Sequence, residues 1–410
     1  MIEKIMIHQN RRKELLSRLD DNAVVIISTN PEQLRSGDVH FAFRPHSNFY
    51  YLTGFDEPET FVVFSQNNHS IFLRGKDQAR EIWDGERLSV DDAPKTLNMD
   101  NAYSIKQLKE LSTLIAPNSV IYFDKNPTAL DKEITAALSG HKLHSCADIL
   151  HEMRLIKDDH EIKTMQKAAD ISIGAHQMAM QNIRPGMFEF EVQSLFDGCF
   201  GKNNVQHAYT PIVAGGNNGC ILHYIKNNEH LHDGDLVLID AGCELDCYAS
   251  DITRTFPING KFSDTQKKIY QIVLDAQIAA IHSIKPGVGV YEPHKIASDI
   301  IRQGLIGLDI LTTDGDLSQF YMHGTGHWLG LDVHDVGQYK NNDVPRVFEP
   351  GMIITVEPGI YLRKSDKINS IYHDIGIRIE DDVLVTESGN TVLTKSLAKT
   401  IDEIESLMKH

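Results

Sequence analysis

Apolar positions along the chain follow two different rhythms. In the first third, short apolar runs at Val24–Ile27, Phe61–Phe64, Ile71–Leu73 and Val120–Phe123 read as strands. An amphipathic helix is expected over 9–19, and a helical pattern at Ile105–Ala116 falls between the last two strands. Strands alternating with helices predict an α/β N-terminal domain with a mixed sheet, spanning 1–157. From Asp158 the pattern lengthens. An acidic first turn opens a helix whose buried stripe is Ile162, Met165, Ala169, Ile173 and Met180, stopped by Pro185-Gly186. About a hundred residues later a helix from Thr265, with Ile269, Ile272, Val273, Ala276 and Ala280 inward, stops at Pro286-Gly287. Another helical segment follows each turn.

A strand motif repeats with the helices. Asp233-Gly234 leads into the apolar run Leu236–Ile239, then Asp240 and Gly242, and Pro350-Gly351 leads into Met352–Val356, then Glu357 and Gly359. The order of elements implies an α+β domain over 158–410 built of two similar halves, each ending a strand on a carboxylate. If the halves pack about a pseudo-twofold axis, Asp240 and Glu357 converge.

The stretch from Asp235 to Phe256 carries the most chemistry. Its first part reads as a buried strand, and Ser250–Phe256 alternates as a half-buried one, so the two form an antiparallel hairpin with Asp240 and Asp251 on neighbouring strands. Two carboxylates about 4 Å apart repel by roughly 4 kcal/mol at an effective dielectric near 20. Either one is protonated, or a cation lies between them, or they face solvent or pair with an arginine such as Arg254.

Composition narrows the classes. With 410 residues, 41% apolar and 24% charged, the chain is an ordinary globular protein of two domains. A net charge of −17 argues against nucleic acid, which needs a basic surface. The charged N-terminal stretch has no apolar signal core, and no run is long enough to span a bilayer, so a cytoplasmic protein without membrane partners is expected. Five scattered cysteines fit free thiols, and Cys243 with Cys247 lacks the second pair a zinc site needs.

Two aromatic segments of the N-terminal domain hold no obvious catalytic grouping. Arg44–Phe55 reads as core or interface, and Trp83 as a structural tryptophan. Later candidates are richer. His323-Gly324-Thr325-Gly326-His327 has the spacing of a helical zinc motif, but its glycines disfavour a helix and no glutamate follows the first histidine. An extended or turn conformation followed by a strand over Trp328–His334 fits better. Arg378 and Glu380 share one face of a strand within Gly376–Asp382. Asp240, Asp251, His327, Glu357 and Glu380 together supply four carboxylates and one imidazole, which balance two divalent cations. Such a set suits Mn, Co, Fe or Zn.

These segments, with Asn218–Tyr224 and His151–Leu155, resemble the pita-bread metallopeptidases over the whole chain, and among them aminopeptidase P. The resemblance implies that Asp240, Asp251, His327, Glu357 and Glu380 bind two ions, usually manganese, and that a hydroxide bridging them attacks an Xaa-Pro carbonyl. Glu357 would take the proton of the attacking water. His223, His323 and His334 would bind substrate and move protons, and Arg378 would act beside the metal ligands or on the substrate. It also implies a homodimer or homotetramer in which Trp83 reaches a neighbour's active site. Prolidase shares fold and ligands but cleaves dipeptides, and a catalytically inactive binding protein of the same fold is the reading from another class.

Overall fold

The computed structural model describes residues 2–409, with side chains from Met6 onward. Contacts divide the chain into two units, one running to Arg154 and one from Leu155.

The first unit is built on a six-stranded sheet. Its strand order is Asn101–Ser104, Asn68–Leu73, Phe61–Ser65, Ala23–Ser28, Val120–Phe123, Leu143–His144. Ala23–Ser28 is buried along its whole length, as a mostly β-branched central strand covered on both faces should be. It runs antiparallel to Phe61–Ser65 and parallel to Val120–Phe123, so the sheet is mixed. Arg44–Phe55 contributes the helix Ser47–Thr53, which buries Phe49 and Leu52 and ends at Gly54 with φ 64°.

One expectation in this unit is met in a different form and another fails. Ile105–Leu114 is a 3₁₀ segment, not an α-helix, and Gln107 lies outside helical geometry. Only Leu111 is buried there, so little packing enforces regular α geometry. Trp83 is not a structural core residue. It sits on the helix Gln78–Asp84, which buries none of its residues, and Trp83 and Ile82 are 84% and 82% exposed. Asp77 caps that helix by accepting from the backbone N–H groups of Ala79 and Arg80, so the segment is helical without packing its aromatic ring.

The second unit repeats a helix pair and a small sheet. Asp158 and Ser263 each form a capping box and open the long helices Asp159–Asn182 and Asp264–Ser283. Gly186 and Gly287, at φ 92° and 84°, turn the chain out of them. The second helices of the pairs are Glu189–Lys202 and Glu292–Gly307. In the first half, Leu236–Asp240 lies between Ile212–Gly215 and Thr253–Pro257, all antiparallel. In the second, Ile353–Val356 pairs with Asp381–Val385, and Gly359–Leu362 pairs with Ile375–Arg378. The two halves are stitched together where Glu380 N–H donates to the Thr253 carbonyl, at 3.1 Å.

Three details differ from expectation. The hairpin exists, but its second strand starts at Thr253 and is buried on both faces, because the second half covers what would have been its polar side. Arg378 ends one strand and Glu380 precedes another, so they flank a break rather than share a strand. No strand spans Trp328–His334. Trp328 makes one bridge to Ile354, after which Gly330 N–H turns back onto the Asp332 carbonyl and Asp335 N–H onto the Trp328 carbonyl.

Candidate metal centre

Glycine lets the carboxylate-bearing strands close up. A Cβ on Gly242 would stand 1.9 Å from the Ser250 carbonyl oxygen, so only glycine permits the chain after Asp240 to fold against the residue before Asp251. Gly326 plays the same part beside His327, where a Cβ would meet the Thr355 carbonyl at 1.9 Å. His327 is then fixed by its backbone, which donates to Thr355 Oγ1 at 3.1 Å and accepts from Thr355 N–H at 3.0 Å.

The result is one cavity of about 280 Å³ in the second unit. It gathers Asp240, Asp251, His327, Glu357 and Glu380, with His223, His323, His334 and Arg378 also in its wall. Every sequence-derived site residue of this unit is therefore brought together. Trp83 belongs to the other unit and is the exception.

Within the cavity, the ligating atoms of Asp251, His327 and Glu380 lie within 4.8 Å of one another. His327 Nδ1 is hydrogen-bonded to the Trp328 carbonyl at 3.0 Å, which puts the proton on Nδ1. Nε2 is left facing Asp251 Oδ2 at 3.4 Å and Glu357 Oε1 at 3.8 Å. A backbone carbonyl behind one nitrogen and carboxylates before the other is the arrangement a metal-binding imidazole needs. Burial alone would lower its pKa, but the bond to Asp251 and the charges of Asp251 and Glu357 lift it to about 9.

The carboxylates are crowded out of their ordinary range. Burial pushes Asp240 up, partly offset by Arg378, and Asp251 adds to the rise. Glu357 is raised by burial against the pull of His327 and Arg378, and Glu380 is raised by burial and by the charges of Asp251, Glu357 and Asp240. Neighbouring side chains bind Asp240 and Asp251. Tyr209 Oη lies 2.7 Å from Asp240 Oδ1 and 2.6 Å from Asp251 Oδ1. Arg378 Nη2 donates to Asp240 Oδ2, while Thr253 Oγ1 donates to Glu380 Oε2 at 2.7 Å. Arg254 points elsewhere, into a buried pair with Asp381 at 2.7 Å. Four carboxylates around one imidazole and one bound arginine form an excess of negative charge that divalent cations would relieve. The donor set therefore fits a metal centre.

On the cavity wall, His323 is held neutral. Burial and the Arg378 charge bring its pKa down to about 4. Its Nδ1 faces the Gly324 carbonyl at 2.7 Å, and Nε2 faces Tyr361 Oη at 2.8 Å, which also accepts from Arg378 at 3.1 Å. His334 packs edge-on to His327 with ring centroids 4.3 Å apart. Tyr209, Thr253 and Tyr361 were missed from the sequence. Lone hydroxyls in short loops and strands carry no spacing signal, and only the fold brings them to the carboxylates.

A family model described as "Metallopeptidase family M24" matches residues 163–387, and one described as "Aminopeptidase P, N-terminal domain" matches 8–122. The chain belongs to metallopeptidase family M24, and its second unit has that family's pita-bread fold. Among full-length relatives it is similar to Xaa-Pro aminopeptidases. That of Haemophilus influenzae is 43% identical, covering 98% of this chain and 96% of the relative, and that of Escherichia coli K12 is 41% identical, covering 98% and 97%. A variant of E. coli aminopeptidase P solved in complex with substrate superposes with a TM-score of 0.95 at 39% identity, over 98% of each chain. Pseudomonas aeruginosa aminopeptidase PepP gives 0.95 at 40% identity and the same coverage.

Proposed function

We propose that this chain is a metal-dependent aminopeptidase that releases the N-terminal residue from peptides with proline in second position. The observation that carries it is the convergence of four carboxylates and the Nε2 of His327 on one cavity, in a chain similar over its whole length to Xaa-Pro aminopeptidases.

Asp240, Asp251, His327, Glu357 and Glu380 would hold two divalent ions, with manganese the first candidate and Co, Fe or Zn also suited to so oxygen-rich a set. Bound there, the ions supply Lewis acidity, polarising the scissile carbonyl and lowering the pKa of water. Glu357 accepts the proton of the attacking water. In the metal-free cavity burial pushes its carboxyl up to about 7. Tyr209 and Arg378 orient Asp240 from two sides.

A peptide bond to proline is a tertiary amide, and its ring nitrogen must gain a proton to leave. Of the histidines on the cavity wall, His223 and His334 would deliver that proton, and His323, held neutral, would help bind the substrate. The carboxylate-rich cavity attracts the cationic amino terminus of a peptide. Trp83, exposed on its helix, would serve a neighbouring subunit of a homodimer or homotetramer, and the enzyme would act in the cytoplasm. Trp83→Ala with unchanged assembly and unchanged specificity would remove that part.

The deciding assay is release of arginine from an Arg-Pro-Pro peptide after chelation, with and without added manganese. Manganese-dependent release supports the proposal. Cleavage of Xaa-Pro dipeptides alone would make the enzyme a prolidase, and no hydrolysis of either would make it a binding protein.

A further inference from the structure

The turn Gly324-Thr325-Gly326 separates two cavities. In front is the carboxylate cavity, and behind is a second, largely apolar one of about 360 Å³, lined by Val290, Pro293, His294, Tyr339 and Ile354 together with the turn itself. Packing fixes a chain only where neighbouring atoms fill the volume around it, and here it does so at Gly326, against the Thr355 carbonyl, but not at Gly324. Two glycines add backbone freedom. At Gly324 an added Cβ would find its nearest heavy atom 4.0 Å away. Hydrogen bonds therefore share in holding the Gly324 side of the turn, and they converge on Thr325, which is buried at 3% exposure.

Thr325 Oγ1 lies 2.9 Å from His294 Nδ1 and 2.5 Å from Tyr321 Oη. A hydroxyl donates once and accepts at its lone pairs, so Thr325 can satisfy both partners, donating to at most one of them. Its carbonyl accepts from Glu357 N–H at 2.7 Å. His294 comes from the helix Glu292–Gly307, which carries none of the cavity's candidate ligands. Thr325 thus ties that helix to the backbone of Glu357, with His323 and His327 two residues to either side.

We propose that His294 is a positioning residue for the reaction, acting through the Thr325 hydroxyl to fix the Gly324–Gly326 turn and, by the Thr325 carbonyl, the backbone of Glu357. This rests on the aminopeptidase reading for its kinetic consequence but not for its structural one. Loss of the bond lets the turn move into the rear cavity, so Glu357 meets the attacking water in a broader range of positions. Removing one neutral hydrogen bond should lower kcat by about five- to tenfold. An asparagine amide offers both a donor and an acceptor near the Nδ1 position, so it should take over the bond.

The test compares His294→Ala, His294→Asn and the control Lys295→Ala as metal-loaded full-length proteins. Readouts are steady-state kinetics on an Arg-Pro-Pro peptide, bound metal per chain and hydrogen exchange at the Glu357 amide. Expected for His294→Ala are the fall in kcat, a KM and metal content within about twofold of the parent, and faster exchange at Glu357. His294→Asn should restore kcat and protection, and Lys295→Ala should match the parent. Unchanged exchange in His294→Ala, no recovery in His294→Asn, or loss of metal from His294→Ala would each overturn the positioning role. A parent protein inert on the peptide would overturn the aminopeptidase reading, while the exchange pattern would still decide this one.

Discussion

Arg378 donates from Nη2 to Asp240 Oδ2, so the guanidinium that ends one strand of the second half grips the carboxylate that ends a strand of the first. The same side chain donates from Nε to Thr253 Oγ1 at 3.0 Å and reaches Tyr361 Oη. It fixes one proposed ligand directly and another, Glu380, through Thr253. Arg378→Lys keeps the charge but not the three-way geometry. Metal affinity or kcat/KM should fall about 10- to 100-fold, as for other groups that orient metal ligands. Manganese titration against activity checks it, and a parent-like titration would show that charge alone matters.

Tyr209 should behave similarly for a different reason. Its hydroxyl holds one oxygen each of Asp240 and Asp251. Tyr209→Phe leaves the ring and removes only that contact, so manganese affinity should weaken by about tenfold or more while the thermal midpoint of the metal-free protein changes little. Calorimetric titration of the metal distinguishes this from a packing defect.

Glu357 is assigned the proton transfer. Glu357→Gln should lower kcat by about 10²- to 10⁴-fold while an Xaa-Pro peptide still competes for the site. A variant retaining most of its kcat would move the base elsewhere.

Metal binding should be strongly pH-dependent, with a sign set by His327. Its pKa in the metal-free protein is raised to about 9, so below that pH an entering cation must displace a proton. Apparent affinity should rise with pH, by roughly tenfold per unit for each proton released, up to about pH 9. For the metal-free fold the sign reverses. A raised histidine pKa stabilises fully below about 6.5 and that contribution is lost as pH rises through about 9. Titration in two buffers of different ionisation enthalpy would count the protons, and a pH-independent affinity would rule out His327 as a ligand.

Behind the centre, Asp381 is fully buried between Arg254 Nη2 at 2.7 Å and Lys399 Nζ at 2.6 Å. Burial opposes its charge, but these two cations hold its pKa well below the usual carboxylate range. Its stabilisation is therefore present above about pH 4 and lost in acid. Asp381→Asn leaves Arg254 buried without its counter-charge, which should cost about 3–5 kcal/mol. The thermal midpoint should drop by roughly 10 °C in a scan at neutral pH.

Much of the molecule could be read without coordinates. The helix starts at Asp158 and Thr265, the Pro-Gly stops and the doubled strand–carboxylate–glycine pattern are local signals, and the structure has helices, turns and strands at or beside those places. The glycines of the metal motif were legible as pattern, but their reason was not. Gly242 and Gly326 are needed because a carbonyl from a distant residue sits where a Cβ would be. Trp83 and the segment Trp328–His334 were misjudged because burial and strand pairing depend on which surface arrives opposite, and no periodicity encodes that.

By itself, the sequence determined the inventory: an α/β and an α+β unit, an acidic composition, and four carboxylates and an imidazole on countable motifs. Tertiary structure alone decided which hydroxyls and cations tune them. Tyr209, Thr253, Tyr361 and His294 act across chain separations of 17 to 127 residues, and a hydrogen bond senses distance in space, not along the chain.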